Sequence, residues 1–225
     1  MESLTKRAYT GLAQFIVALA LFLFLPAFSF HFWQAWLYWV VFSVAIFLIT
    51  YYFMKHDRGL IERRLNVGPA AEKEKSQKII QAITSVLFIL VLITPGIDHR
   101  FMWSSISQTV VWIAEVFVAV GFYIIFLVFK ENSYTSSTIE TDKNQKVITT
   151  GPYRVVRHPM YAGALVLFFA TPFALGSYWA LIPVTLMIGM LGVRLLDEEK
   201  FLNKHLKGYT AYCHKTRYHL IPFIW

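Results

Sequence analysis

Long stretches without a charged residue dominate this chain and leave it few ways to fold. Residues 11–30, 33–54 and 79–97 contain no Asp, Glu, Lys or Arg, and residues 106–129 contain only Glu115. A helix needs about 20 apolar residues to cross a hydrocarbon core of roughly 30 Å. Each block is long enough, the third by a narrow margin. A fifth block, residues 161–193, is too long for one crossing at about 1.5 Å of rise per residue, and Pro172, Gly176, Ser177 and Pro183 interrupt it. It reads as a hairpin of two short helices turning near Gly176-Ser177, with a re-entrant pair as the alternative. The expected fold is all-α: a polytopic transmembrane bundle of five or six membrane helices, the last two forming a short hairpin, followed by a cytoplasmic helical segment. Residues 1–130 would supply four spans, and residues 131–225 a second module. A signal peptide is the rival reading of the first block, with Lys6 and Arg7 as its basic flank. The stretch stays aromatic past Ala27 and a second span follows at once, which disfavours it.

Charge supports the membrane reading. The formal charge is +8, which in a soluble chain would suggest nucleic acid as a partner. With 57% hydrophobic and only 15% charged residues, a water-soluble globule is the wrong frame. Six crossings put residues 1–10, 55–78, 130–160 and 194–225 on one side. Those segments hold 20 of the 21 Lys and Arg residues, and only Arg100 falls opposite. By the positive-inside rule both termini and the two long loops are cytoplasmic. Trp33, Trp36, Trp103 and Trp179 read as interfacial belt residues. The single Cys213 excludes an intramolecular disulfide and a cysteine zinc cluster. His205, His214 and His219 match no metal-ligand spacing. Glu115 inside a span reads as a protonated or hydrogen-bonded packing residue, although such an acid always raises a functional question. Gly189-x-x-Gly192 falls short of a GxxxG motif but would permit close helix packing.

Three segments share the expected cytoplasmic face. Residues 55–78 mix signs, from Lys55, Asp57 and Arg58 through Arg63, Arg64 and Glu72 to Lys73 and Lys78, and Gly68-Pro69 breaks them. The expected role is a solvated connector with a short interfacial helix. Residues 130–160 end in Arg157-His158-Pro159. The residue before a proline leaves the helical region, and a proline suits the first turn of the next helix. Tyr153, Arg157, His158 and Tyr161 would therefore meet at the membrane edge, beside helix N–H groups able to receive an anion. Residues 194–225 open with Arg194, Asp197, Glu198 and Glu199, where Arg194 and Glu198 share a helical face.

Gly151-Pro152-Tyr153-Arg154-x-x-Arg157-His158-Pro159-x-Tyr161-x-Gly163, then Glu198-Glu199, Tyr209-x-x-Tyr212, Arg217 and Pro222, resembles the isoprenylcysteine carboxyl methyltransferase family. Phospholipid methyltransferases carry a related C-terminal module. The resemblance runs from Asn132 to Pro222. It implies an integral membrane methyltransferase that uses S-adenosylmethionine on a lipophilic, prenylcysteine-like acceptor, with membrane lipids and not nucleic acid as partners. By motif position it assigns Tyr153, Arg157, His158, Pro159, Tyr161, Gly163, Glu198 and Glu199 to the cofactor. Asn132 and Arg194 fall to the substrate, and Arg194, Arg217 and His158 to catalysis. No metal is implied. Acids complement an ammonium, Arg a carboxylate, aromatic faces a sulfonium, and Gly163 would allow close approach to backbone. A carboxylate acceptor needs no general base; an amine acceptor would need one, and His158 would serve. Two rivals stay open: an NADPH-dependent membrane reductase of the sterol reductase type, and a membrane protein without activity. The paired acids favour the methyltransferase over a reductase, whose adenosine phosphate would call for extra Arg or Lys.

Overall fold

A computed structural model describes residues 3–65, 67–72, 74–139 and 145–225. Lys73 and Lys143, both counted on the basic face, lie outside the described residues. Among the described residues the protein is all-helical, without strands. The elements are α1 (Leu4–Ala27), α2 (Trp33–His56), α3 (Arg58–Leu65), α4 (Lys75–Phe101), α5 (Gln108–Glu131), α6 (Pro159–Ala174), α7 (Leu181–His205) and α8 (Tyr209–Lys215), with single 3-10 turns at Pro69–Ala71 and Gly151–Arg154.

Two of the long helices start at side-chain caps, which satisfy N–H groups left without an intrahelical partner. Ser3 caps α1 by accepting from Lys6 N, and Ser107 caps α5 by accepting from Val110 N. Helices α1, α2, α4 and α5 are each long and apolar enough to cross a membrane, and only 17–33% of their most apolar stretches is buried within the protein. The remaining surface, including Val17, Leu21, Val44, Val86 and Val116, is exposed and suits a lipid solvent. Helix α6 has 16 residues, or about 24 Å at 1.5 Å per residue, short of a full crossing. Helix α7 continues past the apolar block into its charged last turns.

The hairpin turns where expected. Gly176 takes φ +70°, a left-handed conformation that favours glycine. Asp98 at the end of α4 holds the turn: Ser177 Oγ donates to its Oδ2, as does Ser104 Oγ at 2.6 Å, while Ser104 N donates to Oδ1 at 2.8 Å. Trp33, Trp36, Trp103 and Trp179 are exposed at this same end.

Two packing expectations change, those for Gly163 and for Gly189 and Gly192, and the one for Glu115 loses its hydrogen-bonded alternative. Gly163 sits against Gly121 at the α5–α6 crossing. A Cβ there would lie 3.1 Å from Gly121 O and from Ile124 and Ile125 side-chain carbons. Its smallness brings two helices together rather than a ligand to backbone. Gly189 and Gly192 face open space, so they make no close helix contact. Glu115 is buried in α5, but neither carboxylate oxygen has a hydrogen-bond partner among the described residues.

The connector is also more than a solvated run. Leu60 and Ile61 of α3 are buried against Phe53, Val128 and Phe129. Glu72 is only 4% exposed. The connector is stitched to the loop after α5: Arg64 Nη1 donates to Ser136 O at 2.9 Å, Ser137 Oγ donates to Arg64 O at 3.3 Å, and Arg63 donates to Ser133 O. The apolar face of α3 fixes this charged strip over the end of the bundle.

Candidate functional site

The segment before α6 is held by the C-terminal tail. Arg157 N donates to Tyr218 O at 2.8 Å and His158 N to His219 O at 3.0 Å. Pro159 then opens α6, where its missing N–H costs no helical hydrogen bond. Tyr212 OH on α8 donates to Tyr153 O at 2.8 Å, and Thr216 Oγ1 to the same oxygen at 3.3 Å. Tail, α8 and the Gly-Pro turn thus clamp the motif from one side.

Glu199 is the hub of the clamp. Its Oε1 lies 3.0 Å from His158 Nε2, 3.2 Å from Tyr209 OH and 3.2 Å from Arg157 Nε. His219 Nε2 lies 3.1 Å from its Oε2. The His and Tyr groups donate; Arg157 Nε makes a charge contact without hydrogen-bond alignment. Burial alone would raise the carboxyl pKa, but the hydrogen bond from His158 and the charges of His158, Arg157 and His219 hold it below the ordinary carboxylate value.

Beside the clamp lies a cavity of about 390 Å³, lined on one wall by Tyr153, Arg157, His158, Pro159 and Tyr161. Arg194 and Glu198 of α7, Asn132 after α5 and Arg64 of α3 close it from other sides, and Ala164, Phe168 and Leu191 give it an apolar floor. Glu198 Oε2 accepts from Tyr161 OH at 2.7 Å. Its Oε1 has no hydrogen-bond partner among the described residues, so this acid keeps acceptor capacity for a ligand. Tyr153 OH accepts from Asn132 Nδ2 at 2.8 Å, which leaves the phenol hydrogen to donate. Burial raises the Tyr153 pKa to about 12, against the opposing hydrogen bond from Asn132, so the phenol is neutral at pH 7.

Both terminal nitrogens of Arg194 are engaged. Nη2 lies 2.6 Å from Glu72 Oε1 and donates to Ser137 O at 2.9 Å, while Nη1 donates to Gln77 Oε1 at 3.2 Å and Gln81 Oε1 at 3.1 Å. It ties α7 to α4, the connector and the loop after α5, and reads better as a keystone than as a free guanidinium.

Of the residues singled out from the motifs, Asn132, Tyr153, Arg157, His158, Pro159, Tyr161, Arg194 and Glu198 meet at the cavity. Three do not line it. Glu199 stands behind the wall in the ion-pair hub, because adjacent helical residues point about 100° apart. Gly163 lies at the α5–α6 contact. Arg217 is exposed beyond α8, with no ion pair or hydrogen bond among the described residues. His158 Nε2 contacts Glu199 and Tyr209, so that nitrogen is turned to the clamp. Sequence reasoning missed Arg64, Glu72, Gln77 and Gln81. The signal available was a connector carrying both charge signs next to a buried apolar pair, Leu60-Ile61.

A second, more open recess of about 560 Å³ lies at the opposite end, beside Gln34, Asp98 and Ser104. None of the motif residues reaches it.

Residues 109–208 match the family model for phospholipid methyltransferases. The match starts one residue into α5 and ends at Gly208, the residue before α8. With its four long apolar helices, the protein is integral to a membrane. Helices α1–α4, including Arg64 and Glu72, lie outside the match, as do Tyr209, Tyr212 and His219.

Proposed function

We propose that this chain, whose residues 109–208 match the phospholipid methyltransferase family model, transfers a methyl group from S-adenosylmethionine to a lipophilic acceptor drawn from the bilayer. The observation that carries this reading is Glu198: an acid facing a cavity at the end of the bundle, with one oxygen held by Tyr161 and the other open. The donor set fits the cofactor. Glu198 Oε1 suits its ammonium, the Tyr153 and Tyr161 rings suit its sulfonium, and Tyr153 OH is free to donate. The cavity lies at the small end of the roughly 300–1,000 Å³ range of ligand pockets, which suits a mononucleoside better than a dinucleotide.

When bound, S-adenosylmethionine supplies an electrophilic methyl carbon on a positive sulfur. A carboxylate acceptor would attack that carbon as the carbon–sulfur bond breaks, the sulfur keeping the electron pair, to give a methyl ester and S-adenosylhomocysteine. No proton moves, so this acceptor requires no base, consistent with His158 Nε2 being turned to Glu199. The work of the chain is then to align and to exclude water. Glu199 fixes Arg157 and His158, the wall of the cavity. Arg194 fixes α7, and with it Glu198. The apolar floor of Ala164, Phe168 and Leu191 would receive a lipophilic chain. In this reading the chemistry resides in residues 131–225 together with α5, while α3 and the start of α4 close the site. In this reading the charge bias supports a cytoplasmic position for this end of the bundle and both termini, within reach of a soluble methyl donor.

Calorimetric titration of the detergent-purified protein with S-adenosylhomocysteine and with NADPH tests the reading. Saturable binding of S-adenosylhomocysteine without NADPH binding is expected. Tight NADPH binding without S-adenosylhomocysteine binding would replace it with a reductase.

A further inference from the structure

The cavity contains a cation that the shared module does not supply. Arg64 stands in the last turn of α3, held in place by Leu60 and Ile61 beneath it. Its guanidinium carbon lies 5.0 Å from the Phe129 ring centroid. Nη1 donates to Ser136 O at 2.9 Å and contacts Met160 Sδ at 3.7 Å. Among the described residues, Nη2 and Nε have no hydrogen-bond partner and no carboxylate lies within ion-pair distance. The two other arginines of the cavity differ: Arg157 pairs with Glu199 and Arg194 with Glu72. An enclosed guanidinium without a counter-charge is costly, and a planar fork with free donors is built for an oxyanion. Burial pulls the Arg64 pKa down to about 10, so it still carries its charge at neutral pH.

We propose that Arg64 is the acceptor-recognition residue, holding an oxyanion, carboxylate or phosphate, on a lipophilic acceptor. This rests on the methyltransferase reading for the word acceptor, though not for the anion. The choice of acceptor over donor follows from position. Glu198, Tyr153 and Tyr161, which suit the donor, all lie within residues 109–208, whereas Arg64 comes from the part of the chain outside that shared module. A donor common to a family is held by what the family shares, and an acceptor by what each chain adds. Arg64 touches Met160, and Ile125 lines the same cavity, so a ligand with a charged head and an apolar tail would find both partners.

The test uses full-length protein in detergent, as wild type, Arg64→Gln and Arg64→Lys, titrated with oleate, lysophosphatidate, oleyl alcohol and S-adenosylhomocysteine. Wild type is expected to prefer at least one of the two anions over oleyl alcohol by about tenfold or more, equivalent to about 1.4 kcal/mol. Arg64→Gln is expected to lose that preference while its S-adenosylhomocysteine affinity stays within about twofold; Arg64→Lys, which keeps the charge and guards against a folding defect, should retain part of it. Preference for oleate alone identifies the reacting carboxylate; preference for lysophosphatidate alone identifies a headgroup. The proposal is overturned if wild type shows no anion preference, if the preference survives Arg64→Gln, or if Arg64→Gln weakens S-adenosylhomocysteine instead. If wild type never binds S-adenosylhomocysteine but anion preference still depends on Arg64, the methyl-donor reading falls and the anion site stands.

Discussion

Two carboxylate clusters sit at opposite ends of the bundle and are built on different rules. At one end Asp98 accepts from Ser104 N, Ser104 Oγ and Ser177 Oγ, three neutral donors that satisfy both of its oxygens. At the other end Glu199 gathers Arg157, His158, His219 and Tyr209, while its neighbour Glu198 keeps an oxygen open to a cavity. A closed cluster holds a turn; a cluster with unmet capacity on its cavity side is free to receive a ligand. The difference separates structural from functional acids more sharply than burial does, because Asp98 and Glu199 are both buried.

The largest effect is expected from Glu199→Ala. It leaves Arg157 without its counter-charge and two histidines without their hydrogen-bond acceptor, and truncating one partner of a buried pair typically costs about 3–5 kcal/mol. Thermal unfolding in detergent should show a clear drop, and ligand binding should be lost with it. Asp98→Ala comes next. Carboxylate hydrogen bonds contribute about 1.5–3 kcal/mol each, so stability should fall, yet binding at the other end should persist once the protein is folded.

A smaller effect separates the clusters by pH. His219 titrates below its ordinary value of 6.5, chiefly through burial, with Arg157 and His158 adding to the shift and Glu199 opposing it. Glu199 titrates below its ordinary 4.5 despite burial, because of His158, Arg157 and His219. Both groups have a depressed folded-state pKa. Their contributions are full above the unfolded values and are lost as pH falls through the folded ones. Melting temperature should therefore decline on acidification from about pH 6.5, again below about pH 4.5, and Glu199→Gln should flatten the lower part of the profile. A profile unchanged by Glu199→Gln would mean that the hub does not govern acid stability.

The sequence disclosed the four long helices because uncharged runs of this length have one economical solution in lipid, in which each helix satisfies its own backbone. It disclosed the turn at Arg157-His158-Pro159 because proline acts locally. Other features depend on packing between distant segments. Arg194 and Glu72 are 122 positions apart, and nothing in either neighbourhood names the other. Whether Glu198 or Glu199 faces the cavity depends on the rotation of α7, set by Arg194 and its partners on α4 and the connector. Gly163 looked available to a ligand because its partner, Gly121, lies on another helix. Arg64 looked solvated because a charge run gives no sign of the loop that will cover it.

The central claim is that the ligand end is the one with Glu198, and the most direct measurement is the shift in melting temperature caused by S-adenosylhomocysteine on wild type, Glu198→Gln and Asp98→Asn. A ligand at about 100 times its dissociation constant stabilises a folded protein by about 2.7 kcal/mol. Wild type and Asp98→Asn should rise by similar amounts, and Glu198→Gln should rise far less at the same concentration. An equal rise in Glu198→Gln, or loss of the rise in Asp98→Asn alone, would place the ligand elsewhere and contradict the account.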